Sequence, residues 1–171
     1  MINHSKYSFG TSTRLALYNS LIRPYFEYCI AIWGNSKLEL MAKLQRMQKR
    51  VVRMIAGVQY LHPTKQLFED LCIPKIKDLY TKNILILAHR IYHDKVPLGV
   101  TEHFKKANET QTRTENKLLI PNIVKLKLRR LPKYTIPSVW NNSRNEFRSA
   151  ENETSLKRMI ILASKLWTHK A

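Results

Sequence analysis

Residues 36–57 read SKLELMAKLQRMQKRVVRMIAG, and the fold class turns on this stretch. At 100° per residue, Leu40, Leu44, Met47, Val51, Met54, Ile55 and Val58 share a stripe roughly 100° wide. Lys43, Arg46, Lys49, Arg50 and Arg53 fall on the opposite side. Spacings of three and four residues belong to a helix, whereas a strand would repeat every two. The pattern therefore predicts a helix over 36–56, greasy face inward and cationic face outward. Gly57 follows it, and a residue without a side chain suits the left-handed position that ends a helix. The plain reading is an amphipathic helix with a wet face rich in Lys and Arg. Five cations with no compensating Glu among them favour a face turned toward phosphates.

Upstream, Thr11 to Trp33 also reads as helical, with Thr11 or Ser12 as N-cap and Leu15, Tyr18, Leu21 and Ile22 as its apolar stripe. Pro24 lacks an amide hydrogen and crowds the preceding turn, so a kink or two helical pieces are expected there. Downstream, Pro63 to Leu71 suggests a short helix packed through Leu67, Phe68 and Leu71. Pro74 punctuates the chain, and a helix restarts over Lys75 to Asp94. Ile76, Leu79, Tyr80, Ile84, Ile86, Leu87, Ile91 and Tyr92 cover most of its circumference, which marks a largely buried central helix. One more short helix is expected within Pro97 to Ala107.

The composition then shifts. Asn108 to Asn116, NETQTRTEN, has no large apolar residue and reads as a linker. Beyond it, Val124-Lys125-Leu126-Lys127-Leu128-Arg129 alternates apolar and basic residues with period two. That alternation predicts a strand with one buried and one cationic face. Pro121, Pro132 and Pro137 limit it to an edge or a small hairpin. Ser155 to Trp167 completes the chain as an amphipathic helix, with Leu156, Met159, Ile160, Ala163 and Trp167 inward. The expected organisation is mainly α: a helical domain over 1–107, a polar linker over 108–116, and over 117–171 a basic extended segment with a C-terminal helix.

The chain has 171 residues, with 30 Lys+Arg against 12 Asp+Glu, for a formal charge of +18. Residues 1–107 hold 17 basic and 7 acidic side chains, and residues 108–171 hold 13 and 5, so the excess is not confined to a tail. A field of this strength attracts polyanions, and such binding weakens steeply with salt. Nucleic acid is the commonest such partner and an anionic membrane surface the next. No apolar run approaches the roughly 20 residues that cross a bilayer, so no membrane partner is expected. The first ten residues, MINHSKYSFG, lack a secretory signal, which leaves the sequons at Asn3, Asn108, Asn141 and Asn152 without a use. Cys29 and Cys72 form no disulfide framework and no zinc spacing. An intracellular location, nucleus or cytoplasm, is the expectation.

Catalytic patterns are missing. His89 and His93 are four apart on a predicted helix, but Arg90 stands where a metalloprotease needs Glu, and a third metal ligand is undefined. There is no G-x-S-x-G, neither cysteine has an activating partner, and the four glycines are too scattered for a phosphate loop. Glu69-Asp70, the adjacent acidic pair, sits within a short amphipathic helix and reads as solvent-facing. Neither a catalytic residue, a metal nor a cofactor is assigned. Basic residues interleaved with aromatics remain: Lys133, Tyr134, Trp140, Arg144, Phe147 and Arg148 are a pattern that single-strand binders use. A subdomain so small needs Trp140 and Phe147 for its own core.

The stretch LYNSLIRPYFEYCIAIWG (Leu17 to Gly34), followed by LELMAKLQRMQKRVVRMIAG (Leu38 to Gly57), resembles reverse transcriptases of non-LTR retrotransposons, particularly the jockey-type group. The likeness lies in the region after the catalytic palm. HPTKQLFEDLCIPKIKDLY (His62 to Tyr80) matches the family's continuation. TIPSVWNN (Thr135 to Asn142), with a final helix after Ser155-Leu156-Lys157, is similar to its C-terminal tail. The resemblance implies a helical thumb-like bundle and tail that grip a template–primer duplex. It implies packing and turn roles for Pro24, Tyr28, Trp33 and Gly34. By position it makes Lys43, Arg46, Lys49, Arg50 and Arg53 phosphate contacts. Lys125, Lys127, Arg129, Arg130 and Lys133 are the second basic set.

The family's paired catalytic aspartates, fingers and endonuclease are absent, so polymerase activity from this chain alone is not expected. The frame would then be a piece of a longer ancestral coding region. Expected partners are RNA, DNA or an RNA–DNA hybrid, with a polymerase palm supplied in trans as a further one. The rival expectation is an inherited, non-catalytic fold that acts, if at all, as a protein-interaction module through exposed apolar surface.

Overall fold

The computed structural model describes residues 9–107 and 116–168, with side chains to 163. Helices dominate the described residues. In chain order they are α1 (Thr11–Leu17), α2 (Arg23–Glu27), α3 (Ile30–Trp33), α4 (Leu38–Ala56), α5 (Lys65–Asp70), α6 (Ile76–Tyr92), α7 (Leu98–Thr101), α8 (Pro132–Asn141), α9 (Asn145–Arg148) and α10 (Glu153–Thr168). The described residues fall into two compact units. One lies within Met1–Ile30 and Ser36–Tyr80, the other within Ala31–Asn35 and Thr81–Ala171, so the chain passes between them inside α6. The expected linker at 108–116 lies, but for Asn116, outside the described residues.

In the first unit the helix expected over 11–33 is interrupted twice: it changes to a π-helical turn just before Pro24, and it breaks after α2 at Tyr28–Cys29, where Cys29 takes φ 49°. A π-helical turn, Tyr18–Ile22, separates α1 from α2, whose first turn holds Pro24. Tyr18, Val52, Ile55, Leu67, Phe68 and Ile73 form the core, with Leu15, Ile22, Phe26 and Val51 packed against it. Each fully buried aliphatic side chain of this kind is worth roughly 1.5–3 kcal/mol. α5 carries Leu67 and Phe68 inward, as its spacing predicts.

α4 ends as predicted, on Gly57 at φ 73°. The amide of Val58 donates to Arg53 O at 3.2 Å and that of Gly57 to Met54 O at 3.3 Å, which satisfies two otherwise orphaned carbonyls. Arg14 adds a third device. It is buried, and its Nη1 donates to Met54 O at 2.9 Å, placing a cation at the negative end of α4.

The buried face of α4 is rotated from the expected stripe. Leu40 and Met47 are 53% and 54% exposed, while Gln48, Val52 and Ile55 are buried. The rotation centres on Gln48, whose Nε2 donates to Tyr18 Oη (3.2 Å) and Pro74 O (2.9 Å). Its Oε1 accepts from the Ile76 amide at 3.2 Å. A fully satisfied amide can occupy a core position that hydropathy assigns to a leucine.

α6 is apolar around its circumference, with Ile76, Leu79, Ile84, Leu85, Ala88 and Ile91 buried, as its pattern predicts. In the second unit Arg90 forms a bidentate pair with Glu153 of α10 at 2.8 and 2.9 Å. Trp140 and Phe147 are core residues there, and Trp140 Nε1 donates to Asn116 O at 2.9 Å. Asn141 pairs both ways with the Leu118 backbone, at 3.0 and 2.7 Å. Leu156 and Ala163 of α10 are buried; the Trp167 side chain lies outside the described set.

The expected strand over 124–129 does not form. Residues Leu126–Arg130 make a 3-10 helix, and Pro132 opens α8 instead of closing a hairpin. Alternating residues define a strand only when a neighbour supplies the ladder and covers one face. Among the described residues the single bridge is Lys106 with Leu118, and Pro121 stands three residues further on. The segment instead bonds to itself: Leu128 N to Lys125 O at 3.0 Å and Leu131 N to Leu128 O at 3.1 Å.

Candidate nucleic-acid interface

α4 is a 19-residue rod whose buried arc holds Gln48, Val52 and Ile55. Lys43, Arg46 and Arg50 lie away from that arc and are exposed; Lys49 and Arg53 are half-buried at its margins. Among the described residues none of the five pairs with a carboxylate; the ion pairs found are Arg23–Glu27, Arg90–Glu153, Lys106–Asp94 and Lys157–Glu153. Successive cations at 46, 50 and 53 rise along the rod by about 6 Å and about 4.5 Å. A row of unpaired charges on a rigid support offers phosphates point contacts without reading bases.

Arg53 is not equivalent to its neighbours. Its Nε donates to His62 O at 2.7 Å, and its guanidinium lies 5.9 Å from the Tyr60 ring centre. The side chain ties the loop after α4 back to the helix. Sequence reasoning treated it as one of five like charges and missed this second role. It also missed Arg14, which had no positional signal, and Gln48, which interrupts the apolar stripe.

The second basic set is also solvent-facing: Lys125, Lys127, Arg129, Arg130 and Lys133 are all exposed. They stand on the 3-10 helix and the start of α8, not on a strand face. Arg129 is the ordered one, donating from Nε to Ile123 O at 2.9 Å with its guanidinium 5.8 Å from the Tyr134 ring. Val124 and Leu126, expected on a buried face, are 85% and 74% exposed. Arg148 is withdrawn from any interface: it is buried and donates to Asn141 O at 2.6 Å and to Asn145 Oδ1.

His89 lies in the second unit's interior and His93 is half-buried beside it. His89 is fully buried, its ring 4.3 Å from that of His93, and its Nε2 donates to Ala150 O at 2.9 Å. Nδ1 of His89 and Nε2 of His93 are buried without a hydrogen-bond partner. Burial, followed by the fields of His89, Lys95 and Lys106, lowers the His93 pKa, with Asp94 opposing. No cluster of three or more metal-ligating side chains occurs among the described residues. No helix among them is long and apolar enough to cross a membrane. No protein family, curated protein or solved structure matches the chain.

Proposed function

We propose that this chain binds nucleic acid through the phosphate backbone, as the thumb-and-tail part of a reverse transcriptase of the non-LTR retrotransposon type, without catalysis of its own. The observation that carries the reading is the α4 face: Lys43, Arg46 and Arg50 exposed on one rod, none neutralised by a carboxylate among the described residues. The residues from Leu17 to Tyr80 that resemble that family support the polymerase ancestry. RNA, DNA and hybrid duplexes present the same phosphate chemistry to such a face, and no base-reading array accompanies it. The second basic set, Lys125 to Lys133, adds charge to the same reading.

The test is a Lys43→Gln, Arg46→Gln, Arg50→Gln triple variant, which spares Arg53 because of its bond to His62. Removing three phosphate contacts should reduce the slope of log K against log salt by about 2–3 on a B-form duplex, with helicity unchanged. An unchanged slope would remove α4 as the contact surface.

A second reading has its own observation. Leu21, Tyr25, Leu38, Leu40 and Met47 are large apolar side chains left exposed in the first unit. Surface of this kind favours a protein partner, such as a palm domain supplied in trans. That reading expects only weak, unsaturable association with duplexes and no dependence on the three α4 cations.

A further inference from the structure

The chain leaves α4 through a turn that holds two large apolar side chains out in solvent, Tyr60 at 69% exposure and Leu61 at 86%. The His62 amide donates to Gln59 O at 3.1 Å, so Tyr60 and Leu61 are the two central residues of a closed turn. We propose that this tip is a stacking site for an unpaired nucleobase, beside the phosphates that α4 holds.

Position carries the inference. At 100° per residue, Arg46, Arg50 and Arg53 fall within an arc of roughly 60°, so Arg53 extends the exposed row of Arg46 and Arg50 toward the end of the helix. The Arg53 guanidinium lies 5.9 Å from the Tyr60 ring centre, which sets the tip at the end of that row. A strand whose phosphates follow the row meets the tip next. One face of the tyrosine ring lies toward the cation, and its high exposure leaves the other open to a base. Every base has a π-face, so such stacking tolerates any sequence. Leu61 adds an apolar contact for the base or its sugar. A base inside a duplex is covered on both faces by its neighbours, so the tip suits a base that has lost them, as at a single-stranded overhang.

The tip is also held in place before anything binds. Gly57 ends α4 in the left-handed region, the Val58 amide donates to Arg53 O at 3.2 Å, and Arg53 Nε donates to His62 O at 2.7 Å. A preorganised turn spends little of its binding free energy on ordering. Single exposed apolar side chains are ordinary on a surface, but here two consecutive ones stand against a row of cations. That row favours an anionic occupant over an apolar protein surface. The inference rests on the nucleic-acid reading for the phosphates that bring a base to the tip.

The test uses the full chain and two probes, a blunt duplex and the same duplex with a short overhang that contains 2-aminopurine. The natural protein should bind the overhang duplex about tenfold tighter than the blunt one, and stacking should quench the 2-aminopurine emission. Tyr60→Ala/Leu61→Ser should bring the ratio to one and abolish the quenching, with blunt-duplex affinity and helicity unchanged. Tyr60→Phe keeps the ring and should retain both effects. Equal binding of the two probes by the natural protein, or a preference that survives in the double variant, would overturn the tip as a base site. Blunt-duplex binding that still depends on Lys43, Arg46 and Arg50 would then leave the backbone reading standing. An overhang preference that needs Tyr60, without dependence on those three cations, would support the tip and remove α4 as the backbone surface. Binding of neither probe would remove both.

Discussion

α4 and the segment 124–133 each carry five cations, yet only α4 sets them on a long helix with a buried face. Its backbone bonds close within the helix, Val52 and Ile55 are buried beneath it, and Gln48 and Arg14 lock it at its middle and its end. The segment 124–133 displays its cations beside exposed Val124, Leu126 and Leu128, and five of its residues form a 3-10 helix. A period of 3.6 is a promise the chain keeps by itself, because every amide finds its partner four residues away. A period of two is half a structure, and the other half must come from a neighbouring strand. Equal charge therefore does not imply an equally organised surface.

The largest effect should come from the residue that most distinguishes the two. Gln48→Ala would leave the Ile76 amide, the Pro74 carbonyl and the Tyr18 hydroxyl without this partner in a buried setting. Burial already raises the Tyr18 pKa, with the Gln48 bond opposing it. The expected loss is about 3 kcal/mol in urea unfolding. A loss below about 1 kcal/mol would mean that apolar contacts alone hold α4, and that its cationic face needs no polar anchor.

Gln48 also shows where sequence stops being informative. Helix positions, the irregular turn before Pro24, the end at Gly57 and the buried α6 follow from spacing and from two residues with unusual backbones. Which arc of α4 faces inward does not, since hydropathy ranks Leu40 and Met47 above a glutamine. Three helix ends were equally silent: α2, α5 and α6 are followed by Cys29, Cys72 and Asp94 in the left-handed region, at φ 49°, 50° and 54°, where glycine would have been the signal. Of the candidate interface, the α4 cations were legible as a set. The special position of Arg53 depends on where the backbone of His62 lies.

Acid should separate the two regions next, because the unit that contains 124–133 holds His93 and Glu153, whose shifted titrations lie below neutral pH. His93 has a lowered pKa in the fold, so below its ordinary value of 6.5 the unfolded chain takes a proton that the folded one resists. Stability is therefore full above that value and falls as pH drops through the folded pKa. Glu153 adds a second window. Its hydrogen bonds to Arg90 and Lys157 hold its pKa at about 2 against an ordinary 4.5, so its contribution is lost between those values. Both partners are nearly half exposed, which keeps the Glu153 contribution under about 1 kcal/mol. Tryptophan fluorescence, reporting on buried Trp140, should show the upper step in the natural protein and lose it in His93→Gln.

The smallest effect tests the segment itself. If Val124, Leu126 and Leu128 belonged to a strand with a buried face, replacing Leu126 and Leu128 by Ser would cost several kcal/mol, as truncations in a core do. On an exposed 3-10 helix the same double change removes little packing, because Leu126 is 74% exposed and neither residue lies in the described core. The expected loss is within about 0.5 kcal/mol. Binding to a duplex should also persist in Leu126→Ser/Leu128→Ser, since the cations around those leucines keep their places on a backbone held by the Leu128 N to Lys125 O and Leu131 N to Leu128 O bonds. A large loss of stability would mean that the alternation does find a covering surface. The contrast with α4 would then be one of timing, with one pattern completed by its own chain and the other by a partner.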